Sequence, residues 1–286
     1  MELGELPHLT YVRISLDYIG KGLDDFRGLQ GAFDKITRNI RLLKEQKVIV
    51  GINMTLSPAN INDIKDVFNY AIKEKVNFIR FAPIELLGRA SHEAINEKFY
   101  AQSIDAIIRL MAENINHLEL EHVTLPHSIH EYINYFLVPC AGGTISMSID
   151  TDGETSICPL YQKKSGLNIR NMNLKDIWSE LERKNNDVGI LENECFECSN
   201  NGSCQGGCLA AKYARGLKDN NEQPICYKRI LEEVLSKYYE DKAYRPLLSG
   251  ILYRQMLFLK YGIVPCYRSF PIWMYPLKQK DEWGIL

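Results

Sequence analysis

At 286 residues, 45% hydrophobic and 24% charged, the chain is long enough to bury a sizeable core and has the composition of a globular protein rather than a disordered one. Its formal net charge of −2 gives no global electrostatic case for binding nucleic acid, and no apolar run is long enough to span a bilayer. Repeats and low-complexity blocks are absent, and Met1 to Pro7 lack the charged-then-apolar pattern of a secretory leader, so a reducing cytoplasm that keeps thiols free is the expected setting.

The first predicted element is a strand over residues 8 to 17, where Val12, Ile14 and Leu16 alternate with Arg13, Ser15 and Asp17. A turn around Gly20, Gly22 and Gly28 leads into residues 32 to 45, which place Phe33, Ile36, Ile40 and Leu43 at helical spacing. The unit then repeats. Residues 48 to 57 set Val50, Ile52, Met54 and Leu56 against Gly51, Asn53, Thr55 and Ser57, and Asn60 is the expected N-cap of a helix running through Ala71. A third strand spans Asn77 to Pro83, with Glu85, Gly88 and Arg89 just beyond it and a helix from about Glu93 to Glu113 after that. Strand and helix alternating three times predict parallel strands joined by crossovers, an α/β architecture.

Parallel strands are usually apolar on both faces. Arg13, Asp17, Asn53 and Arg80 therefore require an explanation, because such groups are not packed dry without partners. Two arrangements satisfy them: a polar lumen open to a ligand at the strands' C-terminal ends, or the solvated outer face of a small open sheet.

A short helix is expected over residues 127 to 137, leading to Cys140. Beyond it, residues 145 to 149 and 154 to 157 alternate around Thr151-Asp152-Gly153, a hairpin that returns Cys158 toward Cys140. Leu174 to Leu181 reads as an amphipathic helix whose Trp178 packs a small core. The following segment, Cys195-Phe-Glu-Cys198-Ser-Asn-Asn-Gly-Ser-Cys204-Gln-Gly-Gly-Cys208, spaces its thiols by two, five and three residues, with Gly202, Gly206 and Gly207 permitting tight turns between them. Cys226 follows Pro224 at the start of a helix over about Gln223 to Asp241, where Ile230, Val234, Leu235 and Tyr238 form a stripe expected to meet the core. Iron-sulfur ligation, zinc ligation and disulfides are the readings such a set of thiols allows; the x5 and x3 gaps match no common zinc ribbon, and the absence of a leader disfavours disulfides. The six histidines show no metal-binding or catalytic pairing.

The pattern Cys140-x12-Gly153-x4-Cys158, then Cys-x2-Cys-x5-Cys-x3-Cys, then Cys226, resembles the SPASM module found at the C-terminal end of many radical SAM enzymes. The resemblance implies two 4Fe-4S clusters. Cys195, Cys198, Cys204 and Cys226 would hold one, while Cys140, Cys158 and Cys208 would supply three ligands to the other. Its fourth iron would stay open to a substrate or be closed by Asp150, Asp152 or the isolated Cys266.

Upstream, Arg13-Ile-Ser-Leu-Asp17, Asp25-Phe-Arg27-Gly28, Val50-Gly-Ile-Asn53 and Phe78-Ile-Arg-Phe-Ala-Pro83 look like the last three βα units of the radical SAM partial barrel. On that resemblance Ser15, Asp17 and Arg27 are candidates to hold S-adenosylmethionine, and Asn53 and Arg80 to hold cofactor or substrate. The family's Cys-x3-Cys-x2-Cys motif has no counterpart here, since no cysteine precedes Cys140. S-adenosylmethionine is accordingly expected only when the first half of the barrel is supplied, from a longer open reading frame or by a second chain.

The implied organisation is residues 1–137 as the C-terminal half of the partial barrel, 138–240 as a cysteine-rich module with a β-hairpin and helices, and 241–286 as an apolar helical tail that docks on its own chain rather than on a membrane. The implied function is that of the C-terminal portion of a maturase acting on a peptide or protein. A sulfatase-maturing role is disfavoured by Pro159, where those relatives carry Asp. The alternative is a non-catalytic iron-sulfur electron carrier or scaffold.

Overall fold

Strands β1 (Val12–Ser15), β2 (Val50–Leu56) and β3 (Phe78–Pro83) form a parallel sheet in the order β1-β2-β3, with Val12 opposite Val50, Ser15 opposite Asn53, and Asn53 opposite Arg80. These elements come from a computed structural model that describes residues 9, 11–84, 90, 95–114, 142–143, 146–161, 164–186, 225–238 and 241, together with Cys195, Glu197, Cys198, Cys204, Cys208, Ala210 and Tyr213. The expected helix over 127–137, Cys140, Cys266, Glu85, Gly88, Arg89, the loop glycines and the tail lie outside the described residues.

Helices α1 (Lys21–Arg27) and α2 (Ala32–Glu45) connect β1 to β2. A 3-10 turn (Ile61–Asp63) and α3 (Ile64–Lys73) connect β2 to β3, and α4 (Glu97–Glu113) follows β3. Each parallel pair needs such a crossover. Val50, Ile52, Met54 and Leu56 are fully buried on one side of β2, in one core with Ile40 of α2, Val67 and Phe68 of α3, and Ile104 and Ile108 of α4. Burying one such side chain is worth about 1.5–3 kcal/mol. A one-residue slip of β2 would put Asn53 and Thr55 into that core, so the alternation sets the register.

The glycine-rich stretch after β1 holds a helix, α1, where the sequence predicts only a turn. Gly28 ends it in the left-handed region (φ 63), and its N–H reaches the carbonyls of Asp24 and Asp25. The Asp24 carboxylate then accepts the N–H groups of Gly31 and Phe33 at 2.7 and 2.9 Å, launching α2. These amides, Phe33 first, hold the Asp24 carboxyl below the usual carboxylate range.

Asn60 precedes the 3-10 turn, as an N-cap should, yet its side chain does not cap a helix. It points back at the sheet: Oδ1 accepts Ser57 N at 2.8 Å, and Nδ2 donates to the carbonyls of Thr55 at 2.9 Å and Asp17 at 3.3 Å. The amide thereby closes the ends of β1 and β2, two carbonyls the sheet leaves over.

Past α4, a short hairpin pairs β4 (Ser148–Ile149) with β5 (Thr155–Ser156) in antiparallel register. Its turn needs Gly153, which has φ 85 and leaves a Cβ no room beside Asn168 Oδ1. Helix α5 (Leu174–Asn186) contributes Ile177 and Leu181, one turn apart, to a second small core with Ile157 and Leu167. Trp178, expected there, is half-buried, because the face that meets the hairpin is the i, i+4 pair beside it. Helix α6 (Tyr227–Ser236) packs against α4, and its Tyr227, Ile230, Leu231 and Val234 join the main core with Tyr238.

Candidate functional site

Two sets of side chains carry the chemistry read from the sequence. The first is the polar side of the parallel sheet. Ser15, Asn53 and Arg80 occupy one row across β1, β2 and β3, and Arg80 Nη1 donates to Asn53 Oδ1 at 2.7 Å. Ser15 and Arg13 are exposed, whereas Asn53, Thr55 and Arg80 are half-buried. Toward the strands' N-terminal ends this side is closed by aromatics: the Phe78 ring lies over Gly51, where a Cβ would fall inside it, and Tyr11 meets Phe78 edge-on at 5.4 Å. The row therefore has an apolar floor on one side and the C-terminal strand ends on the other, the end at which α/β proteins bind ligands.

Asp17 and Arg27 meet each other. Asp17 is 7% exposed, its Oδ2 accepts Arg27 Nη2 at 3.0 Å and its Oδ1 accepts the Thr55 N–H at 2.9 Å. Both carboxylate oxygens thus serve to tie the chain just beyond β1 to α1 and to β2. Arg27 is the more exposed partner and its guanidinium also lies 5.5 Å from the Phe26 ring centroid. Thr55 and Asn60 complete this knot. Nothing in the local sequence marked them, because their partner Asp17 is 38 and 43 residues away.

The second set is the thiols. Cys158, Cys195, Cys198, Cys204, Cys208 and Cys226 form no disulfide. Cys198 N donates to Cys195 O at 3.2 Å, the turn that an x2 gap requires. Cys158 sits in a tight turn after β5, where Leu160 N donates to its Sγ at 3.3 Å and Tyr161 N to its carbonyl at 3.1 Å. Cys208 is 5% exposed and, with Ala210, forms a small buried patch against which Cys158 and Tyr161 pack. The structure thus brings Cys158 and Cys208 together although they lie far apart in the chain. Burial raises the Tyr161 phenol, which stacks near Tyr213, so it stays neutral at physiological pH. The partial strand contact of Gly142 with Ser146 carries the chain from the Cys140 region onto the same hairpin.

Cys226 is the N-cap of α6, with Arg229 N donating to its Sγ at 3.4 Å. Asp150 and Asp152 are exposed and bond within the hairpin turn, to Thr151 N and Glu154 N. Among the described residues no three His, Cys, Asp or Glu side chains gather as a ligand group. The donor set itself fits a thiolate-bound metal: cysteines outside any disulfide, with Cys158 and Cys226 accepting backbone N–H groups at sulfur, as metal-ligating cysteines do. No helix among the described residues is long and apolar enough to cross a membrane.

A parallel sheet of βα units followed by a hairpin and a thiol-bearing loop defines an α/β protein with the fold of radical SAM enzymes. Superposition agrees. The anSMEcpe structure with bound AdoMet and a Cp18Cys peptide matches at a TM-score of 0.62 and 17% identity, covering 84% of this chain and 70% of that one. SuiB of Streptococcus suis bound to S-adenosylmethionine matches at 0.55 and 16%, covering 72% and 50%.

No protein-family model matches the sequence. Among curated proteins, an Fe-coproporphyrin III synthase of Methanosarcina barkeri is 34% identical over 103 residues, 35% of this chain and 26% of that protein. An AdoMet-dependent heme synthase of the same organism is 27% identical over 225 residues, 72% and 64% respectively. The sporulation killing factor maturation protein SkfB of Bacillus subtilis is 25% identical over 163 residues, 56% and 38%. The chain spans between 26% and 64% of the length of these three relatives. In fold the chain is thus similar to radical SAM enzymes, and in sequence to these AdoMet-dependent and maturation proteins.

Proposed function

We propose that this chain is the cluster-bearing portion of a radical SAM/SPASM enzyme that modifies a peptide or protein, with two auxiliary 4Fe-4S clusters. Cys195, Cys198, Cys204 and Cys226 hold one. Cys140, Cys158 and Cys208 hold the other, and its remaining iron is free to meet substrate. The observation that carries the reading is the packing of Cys158 with Cys208, two of the three thiols that the resemblance assigns to one cluster. When bound, such clusters supply one-electron chemistry or a docking point for substrate.

The chain's own residues position and shield. Asp17, Arg27 and Asn60 lock the C-terminal ends of β1 and β2, which leaves Ser15, Asn53 and Arg80 as the groups turned toward a ligand. Arg80 offers guanidinium donors suited to a carboxylate, held in place by Asn53. S-adenosylmethionine binds this side once the remaining strands of the barrel are present. The peptide assignment draws on the solved neighbours with peptide bound and on SkfB.

Anaerobic preparation with iron and sulfide, followed by metal and sulfide analysis, tests the cluster reading. Iron and sulfide near eight per chain with a broad visible absorption are expected, roughly four of each per cluster. Zinc near two per chain without sulfide overturns it, roughly one zinc per thiolate set. A second reading, a tetrapyrrole as substrate, is favoured by the heme-synthase relatives. A saturable shift of the Soret band when iron coproporphyrin III is added to the loaded chain supports it; an unshifted band argues for the peptide.

A further inference from the structure

We infer that Glu97 and Arg229 are positioning residues for Cys226 and tune the cluster it serves; this rests on the reading of Cys226 as the last ligand of the Cys195, Cys198 and Cys204 set. Glu97 opens α4 and Cys226 opens α6, 129 residues later, yet the two helix starts are adjacent. One carboxylate oxygen, Glu97 Oε1, accepts the Cys226 N–H at 3.4 Å and Arg229 Nη2 at 2.7 Å. Arg229 in turn directs its own N–H at Cys226 Sγ, 3.4 Å away. The three residues form a closed ring that includes the sulfur, in which the Cys226 N–H and the Arg229 side chain are both tied to Glu97 of α4.

The ring is not what attaches α6. Tyr227, Ile230, Leu231 and Val234 are buried between α6 and the main core, and the Tyr238 hydroxyl donates to Asp105 of α4. Arg229 and Glu97 are about half exposed, at 50% and 41%, and a surface pair of that kind contributes about 0–1 kcal/mol. Its effect is on geometry and field. It fixes where Cys226 Sγ points, and it sets a carboxylate and a guanidinium beside one cluster ligand. A negative group near a cluster disfavours adding an electron to it, and N–H bonds to the sulfur favour it. The ring thus links the redox poise of one cluster to the first turn of the helix that follows β3.

The test uses the full chain, reconstituted anaerobically, with potentiometric EPR of both clusters and the rate at which a ferrous chelator strips iron. Glu97→Gln keeps an acceptor oxygen and removes the charge. It should raise the midpoint potential of one cluster, leave the other unchanged, and retain full iron. Glu97→Ala and Arg229→Met open the ring and should speed iron release from that same cluster several-fold, with the far-UV spectrum of the wild-type chain. Unaltered potentials and release rates in all three variants overturn the inference. Cys226→Ser is the control that separates the two levels: if it keeps full iron, the ligand assignment itself fails, and if it loses iron while the Glu97 and Arg229 variants are silent, only the positioning role fails.

Discussion

Arg80 on β3 stands opposite Asn53 on β2 and donates from Nη1 to Asn53 Oδ1 at 2.7 Å. The pair joins neighbouring strands on the side of the sheet away from the apolar core, so it holds a cationic donor in place without burying it fully. A hydrogen bond to a charged group is worth about 1.5–3 kcal/mol, less where solvent competes. Asn53→Ala should therefore lower stability by roughly 1 kcal/mol in urea unfolding, with an unchanged slope. Arg80→Met in the same background should add little, because the pair acts as one unit.

Gly51 makes a sharper case. It faces Phe78 across β2 and β3, and an added Cβ lands within the Phe78 ring. The ring is 3% exposed and in edge-on contact with Tyr11, so it cannot swing away freely. Gly51→Ala should destabilise by about 1–3 kcal/mol through overpacking. Phe78→Leu opens space at the same point. The double variant Gly51→Ala, Phe78→Leu should be more stable than the sum of the single changes allows, as a double-mutant cycle by thermal or urea unfolding would register.

The sequence made the parallel sheet legible because Val50, Ile52, Met54 and Leu56 alternate over a full strand, and all four are buried. The same alternation put Asn53 and Arg80 on the opposite side. Their meeting was hidden, since it depends on which residue of β3 falls beside β2, and that offset is set by packing of α3. Helix α1 was hidden for a local reason: glycines at both of its ends read as turn, although Gly28 is there to terminate a helix. Asn60 was placed correctly and assigned the wrong partner, because the carbonyls of Asp17 and Thr55 compete for its amide. At the thiols, spacing predicted turns and pairings within the loop. It carried no sign of Glu97, whose link to Cys226 exists only after α6 docks on α4.

Acid should find its first target in the contact between α2 and α3. Glu74 is 9% exposed, and Arg41 grips it with two bonds, Nε to Oε2 at 2.8 Å and Nη2 to Oε1 at 2.7 Å. That bond to Arg41, opposed by burial, holds the Glu74 carboxyl below the usual glutamate range. The native state therefore binds this proton more weakly than the unfolded chain does. The stabilisation is complete above the unfolded glutamate value, about pH 4.3, and declines as pH falls from there through the depressed native value. Glu74→Gln should lower stability at neutral pH and flatten the acid limb of a plot of unfolding free energy against pH. Asp24, held low by the amides of Phe33 and Gly31, contributes in the same direction and the same range, so the limb is reduced in the variant rather than abolished.

The division of the thiols makes a prediction about iron that neither zinc nor disulfides share. Cys158 and Cys208 lie in one packed patch, while Cys226 is held on α6 against α4. If each group serves its own cluster, losing one thiol should empty one site and spare the other. Cys158→Ser and Cys208→Ser should each remove roughly half of the iron and sulfide from the anaerobically loaded protein, and the double variant should remove no more than either alone. Cys226→Ser should also remove roughly half, but combined with Cys208→Ser it should leave almost none. Mössbauer spectra of Cys208→Ser and Cys226→Ser should then sum to that of the wild type. Equal loss of all iron from any single substitution would mean a single shared centre, and the contact of Cys158 with Cys208 would have to be read as packing alone.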